Sequence, residues 1–247
     1  MILGELAARV SGAGPPVVLL HGNSEDSAVF DQMLAHLEGF TTIRLDSRGH
    51  GGTAAGRRPL TIQQLAIDTA RAMLDYRRRW SGASRTAWSG PGPVRFGLIG
   101  FSDGANIGLD VAIHRPDLLA AQVLLGGNVN QAALRAGTNA LIMAGHQAMR
   151  LGGLVSPAAR RRADVWGLMV GQPDVSRAQL ESLTVPTLIM VGERDVVPRR
   201  ESRRVARLIP DSEWVELAGH GHMLPRTAPK LVAELAGAYL APRLRGE

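Results

Sequence analysis

Six short apolar runs, separated by longer stretches of helical period, constrain this chain more than any other feature. Val17–Leu20, Thr42–Leu45, Val94–Ile99, Ala121–Leu125, Thr187–Val191 and Glu213–Leu217 read as strands. Most are continuously apolar rather than alternating, as strands are when helices cover both faces of a parallel sheet. Helix signals lie between them: Asp26–Leu37, Thr61–Trp80 with Leu65, Thr69, Ala72 and Tyr76 at helical spacing, Gly104–His114 ahead of Pro116, Pro198–Leu208 and Ala228–Leu240. That alternation predicts an α/β fold with a mostly parallel central sheet and helices on both faces. A fainter strand signal lies around Glu5–Val10.

Two segments break the rhythm. Ser81–Pro93, SGASRTAWSGPGP, has the composition of a mobile surface connection. The stretch from Asn128 to Leu183 holds two helix-like pieces, Gln131–Arg150 and Ser156–Val170, with no strand signal between them. It predicts a small helical lid (128–183) inserted into a core formed by 1–127 and 184–247. With 247 residues the core is large enough to fold without covalent staples, and the absence of cysteine excludes disulfides, thiolate metal sites and a cysteine nucleophile. No apolar run reaches the roughly 18 residues of a membrane span, and MILGELAARV lacks a signal peptide's pattern, so the expectation is a cytoplasmic protein off the membrane. The net charge of +6 comes from 27 arginines and one lysine scattered along the chain. Without interleaved aromatics they read as solvated helix faces rather than a nucleic-acid surface.

Chemistry concentrates in GFSDGAN, Gly100 to Asn106. Gly100, Phe101, Ser102, Asp103 and Gly104 fit G-x-S-x-G, a pattern that is weak alone. Here it lies between a strand and a helix, where it implies a sharp turn holding the serine strained and exposed. Small residues two positions away on each side admit neighbouring backbone, and the following helix brings N–H groups near the serine. A serine needs a base, and the base an orienting acid. Asp195, in VGERDVVP, lies just past a strand's carboxyl end, where functional groups collect in open α/β sheets. It would equally suit the cap of the helix that follows, with Glu193 as the fallback acid. LAGHGHMLP offers His220 and His222 as bases.

In carrying HGN, DSRGHG, GFSDGAN, GERDVVP and GHGH in that order, the chain resembles the α/β-hydrolases over nearly its whole length. The resemblance implies Ser102 as nucleophile, Asp195 as acid and His222, rather than His220, as base. It also implies an oxyanion hole from the backbone N–H groups of Asn23 and Asp103, with structural roles for His21 and for Asp46–Gly51. His36 and His114 read as packing or surface residues, and His146 has no catalytic setting. No ligand spacing joins Asp46, His50 and His21 into a metal site, and no cofactor is implied.

The activity implied is hydrolysis of a small or medium carboxylic ester, or a related acyl bond, through an acyl-enzyme. Lactonase, C–C hydrolase, perhydrolase and ligand-receptor members share the same triad. Serine at the elbow argues against the dehalogenase and epoxide hydrolase branches, which use a carboxylate nucleophile. The expected partner is a small-molecule ester-like substrate, and oligomeric state is unreadable. Met143 and Trp166 are candidate substrate contacts, against the simpler reading that they pack the lid onto the core. Asp103 is a third candidate. SDG also occurs in relatives resembling biphenyl hydrolase-like enzymes that cleave amino-acid esters, where its carboxylate would receive an ammonium. The bland alternative is a helix N-terminal acid satisfying backbone N–H groups.

Overall fold

A computed structural model describes residues 1–80 and 93–245. Apart from Pro93, the Ser81–Pro93 connection lies outside the described residues. Eight strands form one sheet: β1 Ile2–Leu3, β2 Leu6–Gly12, β3 Pro16–Leu20, β4 Thr41–Leu45, β5 Phe96–Phe101, β6 Leu119–Leu125, β7 Thr187–Gly192 and β8 Ser212–Leu217. Their order is β1-β2-β4-β3-β5-β6-β7-β8. The β1–β2 and β2–β4 pairs are antiparallel, and every pair from β4 onward is parallel.

The continuous apolar runs are explained by two cores, one on each face. Along β3, Val18 and Leu20 join one cluster while Val17 and Leu19 join the other. Along β5, Phe96 and Leu98 face the first cluster, and Ile99 and Phe101 the second. A pleated strand covered on both sides must be apolar at every position.

The helices are α1 Asp31–Leu34, α2 Ile62–Trp80, α3 Asp103–His114, α4 Ala136–Gly152, α5 Pro157–Trp166, α6 Arg177–Glu181, α7 Arg199–Leu208, α8 Leu224–Thr227 and α9 Pro229–Arg245. Two expectations need correction. The Asp26–Leu37 helix is a 3-10 turn, Ser27–Phe30, followed by the four residues of α1. Asp26 Oδ1 accepts from Ala28 N, and Asp46 Oδ1 accepts from Ser27 N, which holds the chain in that tighter winding. The third core strand runs two residues past Val94–Ile99, because Gly100 and Phe101 stay paired with Leu124 and Leu125 of β6. Ser102 is therefore the first residue beyond the strand. The N-terminal strand expected around Glu5–Val10 is β2, and the short β1 precedes it.

Between β6 and β7 the chain leaves the sheet. The Gln131–Arg150 piece divides into a 3-10 turn, Gln131–Ala133, and α4, and the Ser156–Val170 piece into α5 and a second turn, Gly167–Met169. Ser156 starts α5 by accepting from Ala159 N. The two limbs of the segment meet where Asn130 bridges Asp174 and Val175 N donates to Val129 O (2.9 Å). Among the described residues no helix is long and apolar enough to cross a membrane.

Candidate active site

The parallel strands aim their carboxyl ends at one edge of the sheet, and the loops leaving β3, β5, β6, β7 and β8 converge there. Ser102 sits between β5 and α3 with φ 54° and ψ −118°. That conformation is strained by about 1–3 kcal/mol for a residue with a side chain, and the surroundings enforce it. Ser102 N donates to Leu125 O (2.8 Å), while its carbonyl accepts from Ala105 N and Asn106 N (2.9 and 3.1 Å). A Cβ on Gly104 would lie 2.0 Å from Leu20 O, and one on Gly100 2.3 Å from Gly104 O. The two small residues are thus demanded by close backbone approach.

His222 Nε2 is 3.0 Å from Ser102 Oγ, and His222 Nδ1 is 2.8 Å from Asp195 Oδ1. A carboxylate can only accept, so Nδ1 carries the proton and Nε2 faces the serine as a lone pair. Asp195 is wholly buried, and its oxygens also accept from Val197 N (3.1 Å) and Gly192 N (3.4 Å). The remaining candidates point elsewhere. Glu193 Oε2 accepts from Gly219 N (2.7 Å), and His220 Nδ1 lies 3.3 Å from Thr227 Oγ1.

Two supports were not legible in the sequence. Gly126, at φ 61° just after β6, faces the imidazole edge-on; a Cβ there would come within 2.9 Å of His222 Cε1 and Nδ1 and 3.2 Å of Asp195 Oδ2. Any side chain at 126 would displace the histidine from its partners. The Gly126-Gly127 pair following a core strand was the available signal. Arg135 donates from Nε to Asp195 O (2.8 Å) and from its backbone N to Val196 O (3.1 Å). This ties the start of α4 to the loop that carries the acid, and no local pattern announces it.

Gly22 packs against the serine: a Cβ there would be 3.0 Å from Ser102 Cβ. The next N–H is that of Asn23. Among the described residues, neither this N–H nor that of Asp103 has a hydrogen-bond acceptor. Two unsatisfied donors beside a nucleophile are what an oxyanion hole requires.

His21 holds the loop. It donates from Nδ1 to Gly22 O (2.8 Å), and its Nε2 accepts from Ser47 N (3.0 Å). Burial is the main influence on this 1 % exposed imidazole and, with His50 nearby, outweighs Gly22 O and Asp46, lowering the pKa from 6.5 to about 4. The folded value lies below the unfolded one, so this contribution to stability is fully present above pH 6.5. It is lost as pH falls toward 4, by about 3 kcal/mol in all. Denaturant midpoints measured across that range should fall on acidification, and His21→Gln should flatten the dependence. An unchanged slope in the variant would mean that His21 is not the titrating group.

Asp46 completes the frame. Burial raises its pKa, but donation from Gly52 N and Ser27 N outweighs this and leaves the value lowered. Its two oxygens thereby join the loops after β3 and β4.

Asp103 turns its side chain toward the loop after β3. Its carboxylate, in a residue only 6 % exposed, accepts from Asn23 Nδ2 (3.0 Å) rather than from the backbone of its own helix. Burial raises its pKa, partly offset by the Asn23 hydrogen bond and by His50 and His222. A cleft of about 1100 Å³ runs between α4–α5 and the loops after β3 and β4, with Ser24, His50, Met149, Val165 and Trp166 in its wall; Ser102, Asp195 and His222 do not line it. Trp166 also stacks on Gly145 of α4, where a Cβ would meet its ring at 2.2 Å. Met143, 38 % exposed, does not line this cleft.

Comparison with known proteins bears on the family and the fold. The profile of the alpha/beta hydrolase family matches residues 17–235. A 2-(acetamidomethylene)succinate hydrolase of Mesorhizobium japonicum is 27% identical, over 92% of this chain and 88% of that protein. Among solved structures, a thermophilic esterase from Thermogutta terrifontis superposes with a TM-score of 0.73 at 22% identity, covering 97% of this chain and 94% of that one. The enol-lactonase from Burkholderia xenovorans LB400 gives 0.72 at 21% identity, covering 96% of each.

Proposed function

This chain belongs to the alpha/beta hydrolase family, and from that premise we propose that it is a serine hydrolase of small or medium carboxylic esters. One observation carries the reading: Ser102, His222 and Asp195 form an unbroken hydrogen-bonded series, with the N–H groups of Asn23 and Asp103 free beside it. Ser102 Oγ attacks the acyl carbonyl while His222 Nε2 takes its proton. Asp195 holds the tautomer and offsets the imidazolium charge. Asn23 and Asp103 N–H groups receive the oxyanion, and His222 returns the proton to the leaving alcohol. Water, activated by the same imidazole, then releases the acid. In this reading residues 128–183 act as the lid, with Trp166 contacting the acyl or leaving group.

The reaction type among relatives varies, since the similar proteins named above include a hydrolase of a substituted succinate, an esterase and a lactonase. A panel decides between these chemistries: p-nitrophenyl acetate, butyrate and palmitate, an aminoacyl ester beside its uncharged analogue, a γ-lactone and an anilide. The expected result is multiple turnover of the acetate and butyrate, with the palmitate at least about tenfold slower, a discrimination one pocket can supply. Preference for the lactone would move the assignment to that class. One-time acylation without turnover would make the protein a covalent receptor.

A further inference from the structure

We propose that Asn23 and Asp103 form a clamp that seats the α4–α5 segment and fixes the oxyanion hole in the same act. The inference rests on the serine-hydrolase reading above and deepens it. Asn23 Nδ2 has two hydrogens and uses both: one goes to Asp103 Oδ2 (3.0 Å), the other to the backbone oxygen of Val165 at the end of α5 (2.8 Å). Its remaining polar atom, Oδ1, accepts from Ser24 Oγ (2.9 Å). The side chain is therefore held at three points, from its own loop, the elbow and the helical segment.

The consequence follows from covalent geometry. Side chain and backbone N–H of Asn23 share one Cα, so holding the amide at three points restrains that Cα and with it where the N–H points. The same holds for Asp103, which presents its N–H to the site and its carboxylate to Asn23. The two residues whose N–H groups the proposed mechanism assigns to the oxyanion are thus tied to each other by a side-chain hydrogen bond. Val165 lies 142 positions along the chain from Asn23 and makes the arrangement conditional on the segment being down. Its other end is anchored by Arg135 on the acid loop, so both arms of the catalytic machinery touch it. Lifting α5 would remove one partner of Asn23 and loosen a donor at the moment water gains access. Asp103 and Asn23 are positioning residues in their side chains, whatever their N–H groups do.

The test uses the full-length protein and p-nitrophenyl acetate. Asn23→Ala keeps the N–H and removes the clamp, and it should lower kcat about tenfold to hundredfold with KM changed less than about threefold. Asp103→Ala should fall as far. Asp103→Asn, which retains an acceptor for Asn23, should recover at least half of that loss on a logarithmic scale, whereas Asp103→Leu, which fills the space without an acceptor, should not. Without substrate, Asn23→Ala should also raise amide exchange across residues 157–166 about fivefold, the worth of one hydrogen bond.

Unchanged kcat in Asn23→Ala, with an active wild type, overturns the clamp and leaves the hydrolase reading standing. A wild type inert on every ester overturns that reading, and the exchange measurement then decides the clamp alone, unchanged protection refuting it. Loss of preference for an aminoacyl ester in Asp103→Asn, with Asn23→Ala fully active, would assign the carboxylate to a substrate ammonium instead.

Discussion

Replacing Ser102 with alanine is expected to lower kcat for p-nitrophenyl acetate by at least about 10⁴-fold, while the far-UV circular dichroism and the denaturant midpoint stay close to wild type. The size follows from what the hydroxyl does. Ser102 Oγ is the atom 3.0 Å from His222 Nε2, and among the described residues no other nucleophile is hydrogen-bonded to that nitrogen. What survives is attack by water on an acyl group held in the oxyanion hole. The fold should be indifferent because its demands at this position are on the backbone: Ser102 N to Leu125 O, and Ser102 O to the start of α3. Alanine at φ 54° carries the same strain as serine, so the substitution removes chemistry without altering the elbow. A fluorophosphonate probe should label wild type at one site and leave the variant unlabelled. A variant that keeps more than about a tenth of the wild-type rate would remove Ser102 from the mechanism, and labelling elsewhere would say where to look.

The elbow was legible because steric demands between near neighbours in the chain wrote it. Gly100 and Gly104 each exclude a Cβ by contact with backbone, and such exclusions leave a local spacing in the sequence. The position of Asp195 was legible because it follows β7, a continuous apolar run, whereas β8 carries Glu213 and Glu216 and His222 was found by the GHGH spacing alone. What stayed hidden joins segments remote in the chain. Gly126 makes room for a histidine 96 positions later, and Arg135 braces an acid 60 positions later. The carboxylate of Asp103 is the sharpest case. Local reasoning offered it a substrate ammonium or its own helix N-terminus, whereas its observed partner, Asn23, comes from a loop 80 residues earlier. Helix lengths failed for a related reason, since capture of Ser27 N by Asp46 and the split of both pieces between β6 and β7 depend on through-space neighbours.

Asp195→Asn should cost about 10⁴-fold in kcat, nearly as much as loss of the nucleophile, although it changes one atom of a fully buried side chain. Among the described residues the three groups that hydrogen-bond to this carboxylate are donors: His222 Nδ1, Val197 N and Gly192 N. An amide can offer acceptance on one side only. With its oxygen toward Val197 and His222, the imidazole keeps its tautomer, but the buried negative charge that stabilises the imidazolium is gone. With its nitrogen toward His222, Nδ1 must become the acceptor, and Nε2 then presents a proton to Ser102 and cannot remove one. Both arrangements lower the rate, and KM for a small ester should change little because Asp195 touches no substrate. Glu193→Gln is the control. That glutamate is exposed and accepts from Gly219 N at 2.7 Å, a bond glutamine can keep, so its rate should stay within about threefold of wild type. Steady-state kinetics on the two variants settle the identity of the acid. If Glu193→Gln were the inactive one, the acid would have to reach His222 from the opposite side of its loop, and the 2.8 Å contact to Asp195 would be structural. If neither lost activity, the histidine would be working without the charge of a carboxylate.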